Sequence, residues 1–322
     1  VTAPRSADPS DSPTSDGVEE EGTRAGYVTL VGTPNAGKST LLNAFVGEKL
    51  SIVTPKAQTT WRRVTGIWSS ERTQMIFLDT PGLLAPQSLL QRSMLGSALE
   101  AVREADVLLL LVDASRPPDP ESKERILHAL EDGRAPVVAA VNKIDIADET
   151  HAEDWDAWAR ERMEAETHRV SALHGTGLDR LREAIDKALP PSPFLYPADQ
   201  IASESVRFFA AELVRETVFE LYREEIPYSV WCRVEEFRES QEPTYIQVNL
   251  FVERPSQKRI LIGKGGGAIR ELGATSRGKI EAFLESRVYL DLWVKVRPKW
   301  RRRRRDLEGF GFPVSEEAKK ER

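Results

Sequence analysis

The stretch Gly32-Thr33-Pro34-Asn35-Ala36-Gly37-Lys38-Ser39 constrains the fold of this chain more than any other. Two glycines enclose four residues and are followed by Lys and Ser, the spacing of a phosphate-binding loop. Residues 27–31, Tyr-Val-Thr-Leu-Val, read as a short buried strand, and residues 39–45 start a helix. Gly32 and Gly37 permit backbone torsions closed to other residues, so successive N–H groups can turn inward around phosphate oxygens. The helix N-terminus adds positive potential. Lys38 is then expected to reach the β- and γ-phosphates and the Ser39 hydroxyl to hold Mg²⁺, with residues from Gly32 to Thr40 forming the cradle.

From residue 27 to about 189, apolar strand-like runs alternate with longer amphipathic stretches. Strands are expected at 64–68, 74–78, 107–112, 137–141 and 169–170, and helices at 88–104, 121–131, 154–164 and 178–189. That alternation predicts an α/β domain, a mainly parallel sheet with helices on both faces. Ligands of such sheets bind at the carboxyl ends of the strands. The Pro-rich run 190–197 ends the alternation and reads as a linker. Beyond it come a long amphipathic helix at 204–222, strands at 228–237 and 244–252, a Gly-rich loop at 263–267, a helix at 268–284 and a strand at 288–296. The expected division is an acidic disordered tail (1–24), a nucleotide domain (25–189), a linker (190–202), a second domain (203–305) and a C-terminal tail (306–322).

The net charge of −6 conceals an uneven distribution. Residues 228–305 hold 18 basic against 9 acidic side chains, whereas 25–227 hold 22 against 31. A basic half on an acidic chain is a signature of nucleic-acid or membrane contact. The single cysteine, Cys232, excludes an internal disulfide, suits a reducing compartment and reads as a small core residue. The apolar run 107–112 is far too short to cross a bilayer, and 1–24 lacks the basic-then-apolar pattern of a signal peptide. A cytoplasmic location is expected.

Three further stretches bear on the ligand. Asp79-Thr80-Pro81-Gly82 ends a strand 40 residues after Ser39, where a carboxylate serves Mg²⁺ and the Gly82 amide senses the γ-phosphate. Asn142-Lys143-Ile144-Asp145 follows a buried strand. The Asp145 carboxylate can accept from guanine N1–H and the exocyclic amine, a donor pair that adenine lacks. Lys143 can lie along the base, Asn142 can tie loops together, and Ser171-Ala172-Leu173 is placed to offer an N–H to guanine O6. The ligand expected is therefore GTP or GDP with Mg²⁺. Within 58–63, Thr60 is favoured over Thr59 as the residue that meets Mg²⁺ and γ-phosphate in the GTP state only. Ser39, Thr60 and Asp79 form the expected metal set. The residue after Gly82 is Leu83, so the usual water-orienting Gln is absent. Thr60, Asp79 and Gly82 remain as catalytic candidates, and hydrolysis is expected to be slow unless a partner, or K⁺ held near Asn35, accelerates it.

In the basic half, Ile262-Gly263-Lys264-Gly265-Gly266 is a Gly-x-x-Gly loop opening a helix and preceded by the apolar end of a strand. Such a loop lets single-stranded RNA backbone approach closely, with Lys264, Arg270 and the helix N-terminus meeting phosphates. The run Lys299-Trp300-Arg301-Arg302-Arg303-Arg304-Arg305 is read first as an RNA phosphate contact, with a solvated tail or an anionic-membrane contact as the alternatives.

A guanine-nucleotide domain followed by one type II KH domain resembles the Era family of bacterial Ras-like GTPases. The marks are Gly32-Thr33-Pro34-Asn35-Ala36-Gly37-Lys38-Ser39-Thr40, Lys56-Ala57-Gln58-Thr59-Thr60, Asp79-Thr80-Pro81-Gly82-Leu83, Asn142-Lys143-Ile144-Asp145, Pro227-Tyr228-Ser229-Val230, Ile262-Gly263-Lys264-Gly265-Gly266 and Leu292-Trp293-Val294-Lys295-Val296. The resemblance covers about residues 25–305. It implies binding of the 3′ end of 16S rRNA, a role in 30S subunit maturation and peripheral association with the inner membrane. Monomer is the default expectation. The alternative is a membrane- or cell-cycle-linked switch in which RNA binding is secondary. Trp61 stands where the family often has Arg, and Ala36 where it often has Val.

Overall fold

The computed structural model describes residues 22–314, so most of the expected acidic tail and the end of the C-terminal tail lie outside the described residues. β1 (Arg24–Val31) leads into the glycine loop and α1 (Lys38–Val46) leaves it. There follow β2 (Val64–Ser69), β3 (Thr73–Asp79), α2 (Leu89–Glu104), β4 (Val107–Asp113), α3 (Pro120–Leu130) and β5 (Val137–Asn142). α4 (Glu149–Met163), β6 (Glu166–Val170) and α5 (Leu178–Ala188) complete this part. The sheet order is β2-β3-β1-β4-β5-β6, antiparallel only between β2 and β3. β3 and β4 are buried along nearly their whole length, because helices cover both faces. Leu41, Leu42, Phe45 and Leu181 fill the core on one side; Ile126, Trp155 and Ala159 fill it on the other. The carboxyl ends of β1, β3, β4 and β5 thereby bring the glycine loop, Asp79, Asp113 and Asn142 to one edge.

Caps move two helix starts away from where apolar periodicity puts them. α4 begins at Glu149 rather than 154, because the Asp148 side chain accepts the Thr150 N–H at 3.0 Å. α6 (Val206–Leu221) begins after Ser205, whose hydroxyl accepts the Phe208 N–H. Glu204, expected inside that helix, turns away and accepts the Thr65 N–H at 2.9 Å.

α6 opens the second domain. The strand expected from 228 starts later, because Pro227 sits in the first turn of a short helix, α7 (Ile226–Ser229), ahead of β7 (Trp231–Arg238). β8 (Thr244–Val252) follows, then α8 (Pro255–Ile262), α9 (Gly267–Leu284) and β9 (Val288–Val296). β8 pairs antiparallel with β7 and parallel with β9. Leu213, Val214, Leu261, Leu272 and Ile280 pack the helices onto this sheet, over Ile246, Val248 and Leu250. Cys232 is buried in the same core, which pushes its thiol well above the usual range. α8 is a correction: Leu261 and Ile262 end a helix, not a strand. Pro255 occupies its first turn, and the Gln257 carboxamide oxygen accepts the Glu253 and Arg254 amides, each at 3.0 Å.

The segments flanking the second domain are also better fixed than expected. Arg24, assigned to the tail, begins β1, and the Thr23 hydroxyl donates to the Ser192 carbonyl at 2.9 Å. The 190–202 stretch is strapped to the first domain rather than free. The Ile67 N–H donates to the Ile201 carbonyl at 2.8 Å, and the Gln74 carboxamide oxygen accepts the Leu195 and Tyr196 amides. Residues after 303 form α10 (Arg304–Gly309) instead of starting a tail. Leu307, Phe310 and Phe312 bury themselves with Trp231, Phe251 and Trp300 of the second domain, and with Trp61, Leu84, Leu90 and Met94 of the first. The arginine run is partly structural for this reason. Arg301 pairs with Glu253 and donates to the Tyr228 carbonyl at 3.0 Å, while Arg304 pairs with Glu308.

Candidate active site

The glycine loop folds as its spacing predicts. Gly37 sits at φ +101°, and a Cβ there would lie 2.2 Å from Asn142 Nδ2, so only glycine lets Asn142 close over the loop. Asn142 does so: Nδ2 donates to the Ala36 carbonyl at 2.8 Å and Oδ1 accepts the Ala172 N–H at 2.9 Å. The expected loop-tying role of Asn142 therefore corresponds to two buried bonds. Gly82 lies against Pro34, 2.8 Å from where its own Cβ would be, and the Leu83 N–H donates to the Gly32 carbonyl at 3.1 Å. Thr80 donates from Oγ1 to the Leu30 carbonyl at 2.8 Å, which fixes the 79–83 turn to the root of the loop.

Lys38 is buried, with Nζ donating to the Gly32 and Thr33 carbonyls at 3.0 Å each. Burial pushes its ammonium down to about 8, against the opposing pull of Asp79. Ser39 Oγ lies 2.7 Å from Asp79 Oδ2 and 2.9 Å from Thr60 Oγ1, and Thr60 Oγ1 lies 3.3 Å from the same carboxylate oxygen. Three oxygens from three separate elements thus converge. The Thr59 carbonyl faces α6 instead, where it accepts from Arg215. Burial raises the Asp79 carboxyl, and its Oδ1 is buried without a hydrogen-bond partner. A divalent cation with its waters supplies what such an orphaned oxygen lacks, so these residues fit Mg²⁺.

A cleft of about 400 Å³ runs from this cluster past Asn35, Gly37 and Thr40 to Asp113, Ser115, Lys143 and Ile146. Lys143 Nζ lies 2.6 Å from Asp113 Oδ2, which holds the lysine stem along the cleft. Asp113, Ser115 and Arg116 escape the sequence reading, although Asp113 at the end of a buried strand is a usable signal. Asp145 lies beyond, 3.8 Å from His174 Nε2. The Ser171 and Ala172 amides donate within the protein, to the Thr176 carbonyl and to Asn142. Asn35, at φ +65°, donates from Nδ2 to the Pro55 carbonyl at 3.3 Å.

Leu83 is buried in the core with Val31, Val102 and Ala114. Its side chain is therefore directed away from the cleft. Leu83→Gln is expected to give no gain in GTP hydrolysis and to destabilise the fold by about 1–3 kcal/mol, as an amide buried without partners does. Single-turnover hydrolysis and urea unfolding check both parts; accelerated turnover would show that the side chain can reach the nucleotide.

In the second domain, Gly263, Gly265 and Gly266 have φ of +73°, +60° and +77°. Lys264 and Gly265 are exposed, and Arg270 donates from Nη2 to the Gly265 carbonyl at 3.0 Å. The loop joins α8 to α9, so its glycines turn the chain between two helices, with α9 starting at Gly267.

Residues 27–143 match the family described as 50S ribosome-binding GTPase, and residues 225–301 match the KH domain. GTPase Era of Carboxydothermus hydrogenoformans is 42% identical over 292 residues, 90% of this chain and 98% of that relative. GTPase Era of Geobacter metallireducens is 38% identical over 292 residues, again 90% of this chain and 98% of the relative. An Aquifex aeolicus Era variant bound to GDP.AlF4⁻ superposes with a TM-score of 0.85 at 39% identity, covering 91% of this chain and all of that one. A structure of Era in complex with MgGDPNP and nucleotides 1506–1542 of 16S ribosomal RNA gives a TM-score of 0.86 at 39% identity, with the same coverage. With a nucleotide cleft of this geometry followed by a KH domain, the chain belongs to the GTPase Era family and is a GTPase.

Proposed function

We propose that this chain binds the 3′ end of 16S rRNA through its KH domain, under control of the nucleotide, during 30S subunit maturation. The observation that carries the reading is the position of Thr60. Its hydroxyl stands against Ser39 and Asp79 in the nucleotide cleft, while its neighbours Lys56, Thr59 and Trp61 are held by α6 and the aromatic cluster of the second domain. The relative solved with MgGDPNP and a 16S rRNA fragment supports it. The route from nucleotide to RNA domain is then direct. It does not run through the 190–197 segment, whose Leu195 and Tyr196 amides are strapped to Gln74 of β3.

The loop amides and Lys38 bind the β- and γ-phosphates, and Asp145 selects guanine. The amide for guanine O6 is assigned to the stretch Ser171-Ala172-Leu173. Ser39, Thr60 and Asp79 would hold Mg²⁺, which when bound would supply positive charge beside the phosphates. Asn35 is the residue assigned to K⁺, through its Oδ1. Lys264, Arg270 and the start of α9 take RNA phosphates. Exposed Arg302, Arg303 and Arg305 add rRNA phosphate contacts rather than membrane contacts, and the protein acts as a monomer in the cytoplasm.

Because Leu83 cannot polarise water, the isolated protein is expected to hydrolyse GTP slowly. Rapid single-turnover hydrolysis without RNA, ribosomes or potassium would contradict that. Cross-linking in cells, with reads mapped on ribosomal RNA, tests the functional reading. Reads concentrated at the 3′ end of the small-subunit RNA are expected; their absence there would remove the ribosomal role.

A further inference from the structure

We infer that Arg215, a residue of the KH domain, is a positioning residue for the Mg²⁺ and γ-phosphate site of the GTPase domain. The inference rests on the reading of Ser39, Thr60 and Asp79 as that site. Arg215 lies on α6, is 1% exposed and reaches across the domain junction. Its Nη2 donates to the Thr59 carbonyl at 2.5 Å, and its guanidinium lies over the Trp61 ring, 4.9 Å from the centroid. The two contacts fall on the residues immediately before and after Thr60. They fix the backbone on either side of the hydroxyl that stands 2.9 Å from Ser39 and 3.3 Å from Asp79.

The guanidinium is itself held. Glu212, one turn earlier on α6, accepts from Nε at 2.8 Å and from Nη2 at 2.6 Å, which sets the plane that meets both Thr59 and Trp61. Trp61 is 3% exposed and packs also on Trp231 and Trp300, with ring centroids 6.1 Å away in each case. The aromatic face of Trp61 attracts the Arg215 guanidinium and holds it at the junction. Neighbouring bonds reinforce the same loop from the same helix. Lys56 donates to the Phe219 and Tyr222 carbonyls at the end of α6, and Lys49 pairs at 2.7 Å with Glu216, which also holds Lys279 of α9.

Two roles for Arg215 give different outcomes. If it only cements two domains, a well-packed apolar replacement of the Arg215–Glu212 pair should serve as well, since buried ion pairs often yield to apolar side chains without loss. If it positions Thr60, that replacement leaves the fold intact and loosens the GTP state selectively. GDP is spared, having no γ-phosphate for Thr60 to sense.

The test uses the full chain carrying Arg215→Met with Glu212→Leu, which replaces the pair by apolar side chains. Dissociation of a fluorescent non-hydrolysable GTP analogue and of fluorescent GDP is followed across a Mg²⁺ titration, and amide hydrogen exchange of residues 56–61 is read in the analogue-bound state. The analogue is expected to leave about tenfold faster, the Mg²⁺ half-saturation to rise by about the same factor, and GDP to stay within about twofold, as loss of a charge-assisted bond implies. Exchange at 56–61 should rise. Unchanged analogue release, or equal acceleration of both nucleotides, overturns the inference. If the double variant does not fold, Glu212→Gln alone carries the test. It should shift the analogue and Mg²⁺ response in the same direction by a few-fold, and no shift overturns the inference. Thr60→Ala separates the two levels. If it leaves the Mg²⁺ response unchanged, the reading of Thr60 itself fails; if it responds and the Arg215 variant does not, only the positioning role fails.

Discussion

Changing Gly265 and Gly266 together to aspartate is expected to abolish RNA binding and to leave GTP affinity unchanged. Both glycines sit at positive φ, and a Cβ at either would meet open space, so the new side chains would project freely from the loop. Aspartate tolerates the left-handed region better than most residues, which limits the backbone strain. The loss comes from charge. Two carboxylates would stand beside Lys264 and Arg270, where a phosphate must approach, replacing attraction by repulsion. A fall in affinity of about 10²-fold or more for a 16S rRNA 3′-end oligonucleotide is expected, with the largest effect at low salt. Anisotropy titration against that oligonucleotide, with nucleotide affinity measured in parallel, checks it. Retained RNA affinity would move the RNA site off this loop.

The second large effect belongs to Asp145. Guanine presents N1–H and an amine to the carboxylate, so Asp145→Asn places an amide N–H against a donor and leaves guanine badly matched. Xanthine carries an oxygen where guanine has the amine, and that oxygen accepts the new N–H. GTP affinity is expected to fall by about 10²-fold or more and preference to swing towards the xanthine nucleotide, the scale on which a site built for one hydrogen-bond pattern rejects another. Competition binding with the two nucleotides decides it. A variant that keeps its guanine preference would show that base selection lies elsewhere in the cleft.

The parts of the site that are legible in the sequence are those whose chemistry is local. The glycine loop, the Asp79 turn and Asn142 each follow an apolar strand, and short buried strands are readable from Val-Leu runs such as residues 107–112. The sheet then brings them together without further information, because parallel strands share one carboxyl edge. What escapes depends on tertiary partners. α8 is eight residues, with Lys258 and Arg259 in its middle, and its start is set by Gln257 bonding back to Glu253 and Arg254. The bonds from the Ser171 and Ala172 amides to Thr176 and Asn142 are hidden in the same way. The arginine run looks like one charged patch, yet Trp300 within it is fully buried and Arg301 is tied to Glu253.

The junction is the least legible part of all. Nothing local to Arg215, Glu216 or Lys56 says that α6 lies against the loop before β2. The segment from Trp300 to Phe312 likewise gives no hint that it caps a cluster shared by both domains. The sequence shows only a linker between the two domains, whereas these contacts set the second domain directly against the loop that carries Thr60.

The most direct measurement is the affinity of the full chain for a 16S rRNA 3′-end oligonucleotide with Mg²⁺ and a non-hydrolysable GTP analogue, compared with GDP. Thr60 stands in the cleft while Lys264 and Gly265 remain exposed, so the analogue-bound protein is expected to bind RNA at least about tenfold more tightly, a coupling of ordinary allosteric size. Thr60→Ala should shrink that ratio towards one. Equal affinities in the two nucleotide states of the unaltered chain would contradict nucleotide control of RNA binding.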